Sequence, residues 1–580
     1  MLNTFENADK QHRRRLEREE HLRNLAVLSN TLEWSDSTLV SITDGLSGDP
    51  LQRTMTLAPE TSKLKNPKLK KLLCVLGASI LVMVLALAFT LGIDVGEKEM
   101  YDDMNEHGNM QSQGLERKNL FNMILEWGVT PRSTLGDVTS SQSRAMEWLL
   151  FEDNYEHGGM NTIKTRYALA TLYFSTQDAD NVGTWEQKRH WLSSHSVCLW
   201  YGVECSDTDE SDKLGLIKSL DLSSNGLVGV LPNEIGLLGS EMVSLDVSDN
   251  AIEGTIPWTL HMMKNLANLY LGPNEFSSSL PSTITELTEL THFYANDCSL
   301  SGTIPDLSKL TKLEGLGIHE NMFTGSFPSS IEKLTALQVL YLDSNQLSGE
   351  IPSEIGSTLN LIDIRLRDNM FSGVIPSQIG GLEMLQILYL DSNDFTGWIP
   401  EQLGNNKLLH ELHLYDNGLS GALPESIMAL PLVRVLYADS NILSGQIPTT
   451  IGAMEHLESL FLFGNQLSGK IPSEMGMAQA LTQVRLNDNK LTGEIPTELA
   501  TLQDLDTLFL QNNTLTGPVS EVFGGIPSLQ KMRLHGNSLT GSIPMKICVA
   551  AAFNLHELTA DCDFSSPEIS CKCCSKCYHD

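Results

Sequence analysis

Positive charge is scarce in this chain. Its 580 residues carry 39 Lys and Arg against 72 Asp and Glu, a formal net charge of −33. Such a surface repels nucleic acid and anionic lipid and suits solubility or cationic partners. Aromatic residues are few, 6% of the chain, so any concentration of them is informative. Catalytic signatures are missing as well. No Gly-x-Ser-x-Gly nucleophile elbow occurs. "GNQLSGKI" (464–471) puts Ile471 where a phosphate-binding loop needs Ser or Thr for magnesium. "HELH" (410–413) lacks the histidine spacing of a zinc protease. These absences argue against an enzyme, and no catalytic residue, cofactor or resident metal is expected.

A length of 580 residues exceeds one core and implies several domains or one elongated array. Charge divides it. Residues 1–71 hold 12 Lys/Arg against 10 Asp/Glu, which leaves 27 against 62 for residues 72–580. Between the two regions lies the one long apolar run, "LLCVLGASILVMVLALAFTLGI" (72–93), 22 positions without a charge. As a helix it spans a hydrocarbon core of about 30 Å. Lys63, Lys65, Lys68, Lys70 and Lys71 precede it, and Asp94, Glu97, Glu99, Asp102 and Asp103 follow. Positive charge stays on the cytosolic side. The expectation is a single-pass plasma-membrane protein with residues 1–71 as a largely disordered cytosolic tail and the rest outside. Cleavage before Phe89, after Ala86-Leu87-Ala88, is the rival, but 71 residues make too long a leader.

Beyond an acidic linker (94–117) and a segment with helical apolar spacing at 118–128, 143–156 and 161–175, the chain becomes repetitive. "YLDSNQLSGEIPSEIG" (341–356) returns as "YLDSNDFTGWIPEQLG" (389–404) and "YADSNILSGQIPTTIG" (437–452). Its Asn recurs from Asn225 to Asn537 in steps of 24, apart from 25 after Asn225 and 23 after Cys298, which fills one rung. That makes about fourteen units over 217–544, the signature of a leucine-rich-repeat solenoid. In "LQVLYLDSN" (337–345), Leu337, Leu340 and Leu342 point inward from a short strand. Asn345 turns in to bond neighbouring backbone, and stacking buries each coil's apolar edge.

The second half of each unit, Leu347-Ser348-Gly349-Glu350-Ile351-Pro352 for example, resembles the plant-type extracellular leucine-rich repeat of receptor kinases, receptor-like proteins and cell-wall enzyme inhibitors. "WLSSHSVCLWYGVEC" (191–205) is similar to the N-terminal cap of that family, which implies a helical cap over 118–216 closed by Cys198 and Cys205. Two features depart from plant receptors: the apolar run precedes the repeats, and no kinase sequence is present, so intrinsic kinase signalling is not expected. That arrangement resembles the leucine-rich-repeat membrane proteins of diatoms and related algae.

One outward column of the strands gathers the scarce aromatics. It reads Asp221, Asp246, Tyr270, Tyr294, Gly317, Tyr341, Arg365, Tyr389, His413, Tyr437, Phe461, Arg485, Phe509, Arg533, seven of fourteen aromatic. All are expected to be exposed on the concave face, where Tyr, Phe and Arg favour binding hot spots. The alternative is sideways packing between coils. Two residues further on, Asp343, Asp391 and Asp439 alternate with Arg367, Tyr415 and Phe463, and Lys531, Arg533 and His535 make the far end basic. From Tyr270 to Arg533 this stripe is the candidate ligand site, suited to a peptide, protein or glycan.

At the C-terminus (545–580), Cys548, Cys562, Cys571, Cys573, Cys574 and Cys577 are expected to form three disulfides capping the last coil. Zinc or copper on the "CKCCSKC" thiolates is the alternative. Asn512 in Asn512-Asn513-Thr514 is the one ordinary glycosylation acceptor. Together these features describe a non-enzymatic, receptor-like surface protein, with a catalytic co-receptor as a further partner. A structural link between membrane and wall, or a released inhibitor of foreign hydrolases, are the rival roles.

Overall fold

The computed structural model describes residues 110–153, 159–177, 185–206, 216–562 and 569–578. The expected tail (1–71), membrane helix (72–93) and most of the acidic linker lie outside the described residues. Among the described residues, no helix is long and apolar enough to cross a membrane.

Helices come first: α1 (Met110–Glu126), α2 (Arg132–Gly136), α3 (Ser141–Phe151) and α4 (Met160–Ser175). Helix α1 starts inside the segment read from sequence as a linker. It ends where Gly128 takes a φ of 72°, a conformation that costs glycine little. Ser140 caps α3 by accepting the Ser143 N–H, and α3 stops at Phe151, short of the expected 156. Ala168, Leu169, Ala170 and Leu172 of α4 are fully buried.

Beside them Arg166 is also buried. Its guanidinium donates twice to Asp153, both at 2.6 Å, and to the carbonyls of Ser193 (2.7 Å) and His195 (2.9 Å). It packs over Trp148 and Trp200 at 5.2 and 5.1 Å. A buried cation is tolerable only with its donors filled in this way. Glu234, buried in the first coil, accepts from Thr130 (2.6 Å) and Gln142 (3.0 Å), tying the helices to the repeats. Cys198 and Cys205 are bonded. Strand Val203–Cys205 pairs antiparallel with Ile217–Asp221, covering the first edge of the array.

Most coils then repeat one plan: a three-residue strand such as Val339–Tyr341, a lateral strand such as Gln346–Gly349, and a 3-10 turn such as Ser353–Ser357, which the coil between Ser301–Thr303 and Gly315–Gly317 lacks. The first strands form one 17-stranded sheet. Within it Leu340 lies opposite Ile364, and Ile364 opposite Leu388, an inward row that is fully buried. Fourteen strands run from Ile217–Asp221 to Lys531–Arg533, and two more, Glu557–Asp561 and Lys576–Tyr578, continue the sheet into the Cys-rich end. The array therefore passes the boundary read at 544, because Leu555, Leu558 and Ala560 keep the inward spacing and are buried. Three disulfides hold that end: Cys548–Cys573, Cys562–Cys577 and Cys571–Cys574. The sulfurs of Cys562, Cys571 and Cys574 lie within 4.8 Å of one another, but each is in a disulfide, which leaves no thiolate for a metal.

The Asn ladder takes the expected form. Asn345 donates to the carbonyls of Ile318 (3.0 Å) and Leu342 (3.1 Å), and its oxygen accepts the Phe323 N–H at 2.9 Å. Asn369 repeats this one coil on. Cys298 fills its rung as a buried free thiol, whose pKa burial pushes up to about 12. Close by, Ile304, Leu307, Leu316 and Leu340 line a small apolar cavity next to the 23-residue step.

Candidate functional site

Parallel register sets the stripe side by side. Tyr341 lies opposite Arg365, Arg365 opposite Tyr389, Tyr389 opposite His413, and His413 opposite Tyr437. The row continues through Phe461, Arg485, Phe509 and Arg533. Adjacent strands are about 4.8 Å apart, close to the separation of two stacked π-faces. The side chains stack accordingly. Centroids are 4.0 Å apart for Tyr389 and His413, 4.7 Å for His413 and Tyr437, and 4.3 Å for Tyr437 and Phe461. Arg365 lies over Tyr341 at 4.5 Å, Arg485 over Phe461 at 4.3 Å, and Arg533 over Phe509 at 4.1 Å.

This stacking corrects the expectation of full exposure. Tyr270, Tyr294, Tyr341, Arg365, Tyr389, His413, Tyr437, Phe461, Arg485 and Arg533 are half-buried, and Phe509 is only 7% exposed. Each ring covers its neighbour's face and offers mainly an edge. The stripe is also broken. Tyr270 and Tyr294 stack at 5.7 Å as a separate pair. The Tyr294 ring then lies across Gly315 and Gly317, where an added Cβ at Gly317 would stand 2.4 Å from its Cδ1.

Acids two residues before the stripe, which the repeat pattern does not single out, anchor it. The Tyr341 hydroxyl donates to Asp363 at 2.8 Å, and the Tyr389 hydroxyl donates to Glu411. Arg365 donates to both Asp363 oxygens (3.1 and 2.9 Å), and Arg533 to Glu557 at 2.7 Å. The available signal was strand parity, since residues two apart share a face. Burial, then these carboxylates, raises the pKa of both tyrosines. His413, buried between rings and next to Arg367 and Arg365, falls to about 4 and is neutral at pH 7.

The neighbouring column is less acidic to solvent than its sequence suggests. Asp343, Asp391 and Asp439 are 4%, 1% and 6% exposed. Arg367 reaches Asp343 at 3.6 Å, and His413 Nδ1 stands 3.9 Å from Asp391. At the far end Lys531 is exposed, but His535 stacks on Tyr578 at 3.7 Å. Asn512 is exposed and donates to Asp488 at 2.7 Å.

Leucine-rich-repeat family models match residues 479–539 and, as single units, 216–238, 336–358, 384–406 and 456–477. Phytosulfokine receptor 1 of Arabidopsis thaliana is 33% identical over 97 residues, 16% of this chain and 9% of that protein. The receptor-like serine/threonine-protein kinase GSO2 of the same plant is 36% identical over 104 residues, 18% of this chain and 8% of that protein. The chain thus matches less than a tenth of either relative's length. Among solved structures, the Arabidopsis HAESA ectodomain in complex with an N-terminally extended IDA peptide hormone is 34% identical, with a TM-score of 0.57, covering 60% of this chain and 57% of that one. HAESA with IDA and the co-receptor SERK1 is 28% identical, with a TM-score of 0.56, covering 75% and 70%. The plant peptide hormone receptor RGFR1 in complex with RGF2 is 28% identical, with a TM-score of 0.56, covering 64% and 68%. The described chain is a leucine-rich-repeat solenoid of parallel strands, similar to plant receptor ectodomains.

Proposed function

We propose that this protein is a non-enzymatic, receptor-like recognition protein of the cell surface, which binds an extracellular peptide or protein along the concave stripe. The observation that carries this reading is the row from Tyr341 to Arg533, anchored from behind by Asp363, Glu411 and Glu557. Such a row presents ring edges and guanidinium groups in fixed positions, and prepaid ordering favours affinity. Solved relatives in complex with peptide hormones support the ligand class. Residues 72–93 anchor the chain with its N-terminus in the cytosol, as in the kinase-less leucine-rich-repeat membrane proteins of diatoms and related algae. Output then passes through a partner with catalytic activity or through the short tail.

The test is binding of the full-length protein in detergent to peptide and glycan arrays. A saturable peptide ligand weakened by Tyr389→Ala and Arg485→Ala is the expected result. Saturable binding that ignores both substitutions, or retention by wall glycan alone, overturns the reading.

A further inference from the structure

The lateral strands carry a surface that the concave stripe does not use. The residue after the glycine of each lateral strand is exposed, and over six coils it reads Glu350, Val374, Trp398, Ala422, Gln446 and Lys470. Trp398 is 76% exposed, more than any other large apolar side chain among the described residues. Val and Ala fill the same position on the adjoining coils, so the fold does not require an indole there.

The register surrounds this ring with uncharged residues. Trp398 lies opposite Ser420, and Ser420 opposite Ile442. Val374 lies opposite Thr396, and Thr396 opposite Gly418. In the strands Met370–Val374, Asp394–Trp398 and Gly418–Ala422, only Asp394 is charged, at the other end of its strand from Trp398. A Cβ added at Gly421 would stand 2.8, 3.2 and 3.3 Å from Cδ1, Cγ and Nε1 of Trp398. Near-equal distances to three consecutive ring atoms put the face of the ring, not its edge, over the bare glycine. The opposite face is left to solvent. Beside it runs a row of hydroxyls. Thr396 donates to the Gly373 carbonyl (3.3 Å), Ser420 to Gly397 (3.1 Å) and Ser444 to Gly421 (3.5 Å). Each uses its proton on the preceding coil and keeps lone pairs for an incoming donor.

An open ring face among hydroxyl acceptors matches a pyranose, whose C–H face packs on the π-system and whose hydroxyls donate. A flat strand surface suits the flat ribbon of a β-linked chain better than a coiled α-linked one. Charge points the same way. A net charge of −33 repels an anionic glycan and a second copy of this chain alike, but not a neutral glycan. Val374, Trp398 and Ile442 are also set apart by hydroxyls, unlike the contiguous apolar core of a protein interface.

We propose that the lateral face around Trp398 is a second binding site, which takes a neutral β-linked glycan. It goes beyond the peptide-binding reading and does not depend on it.

Saturation-transfer NMR on the full-length protein in a sugar-free detergent tests it, with cellohexaose, the coiled maltohexaose and an anionic oligogalacturonate as probes. Saturation of cellohexaose, an affinity loss of about tenfold or more in Trp398→Ala, and a smaller loss in Trp398→Phe are expected. Melting curves should match the parent, since the indole lies outside the core. Unchanged cellohexaose binding in Trp398→Ala, or equal saturation of either other glycan, overturns the site. Binding lost in Tyr389→Ala but kept in Trp398→Ala would move the glycan to the concave stripe and overturn it as well. Self-association abolished by Trp398→Ala, without glycan binding, would give this face to a second copy instead. Cellohexaose binding that needs Trp398, on a protein that binds no peptide, would uphold this site while the proposed function falls.

Discussion

His413 and Asp439 sit one coil apart, and burial shifts them in opposite directions. The folded pKa of His413 is lowered from 6.5 to about 4, so its contribution is present above 6.5 and lost as pH falls through 4. The folded pKa of Asp439 is raised from 3.8 to about 6, so its contribution is present below 3.8 and lost as pH rises through 6. Between pH 4 and 6 the two slopes oppose. Melting temperature against pH should therefore steepen upward in Asp439→Asn and tilt downward in His413→Phe, relative to the parent. Parallel profiles for all three proteins would refute both assignments. The tyrosines invite a second comparison. Tyr389→Ala loses a stack on His413 and a bond to Glu411, which amounts to about 1–2 kcal/mol. Leu340→Ala opens a core cavity and should cost about 2–5 kcal/mol. Denaturant midpoints measured on both variants check the order.

At the level of elements, the inward leucines and the Asn ladder were legible because each is local and repeated every 24 residues. Exposure of the stripe was not, since it depends on how closely one coil lies against the next. The two added strands are hard to read as repeats, because Glu557–Asp561 keeps the inward spacing without the ladder Asn and Lys576–Tyr578 has neither. Nor could spacing reveal that Asp343 lies beside Arg367 and Asp391 beside His413, while Asp439 accepts from the Ser440 hydroxyl. The first edge of the array depends on the strand that ends at Cys205. Losing a native disulfide commonly costs about 2–5 kcal/mol. In a Cys198→Ser, Cys205→Ser variant, amide protection should fall first around Ile217–Asp221 and reach the middle coils last. Uniform loss along the array would contradict that.

For the whole molecule, the charge asymmetry around residues 72–93 gives a topology test. Protease added to intact cells should digest the repeats and spare an N-terminal tag, and protected repeats would reverse the proposed orientation.

A solenoid holds together through contacts between nearest neighbours, so its cooperativity is only as long as its weakest junction allows. Several irregularities meet at one junction here. Cys298 takes the place of a ladder Asn, the next step is 23 residues, Gly317 leaves the aromatic row, and a cavity lies beside Leu316. The array should therefore melt as two blocks, one on each side of residues 298–317, with hydrogen exchange resolving two opening free energies. Filling the rung with Cys298→Asn should draw those two values together, turning a hinge between folding units into one more ordinary coil.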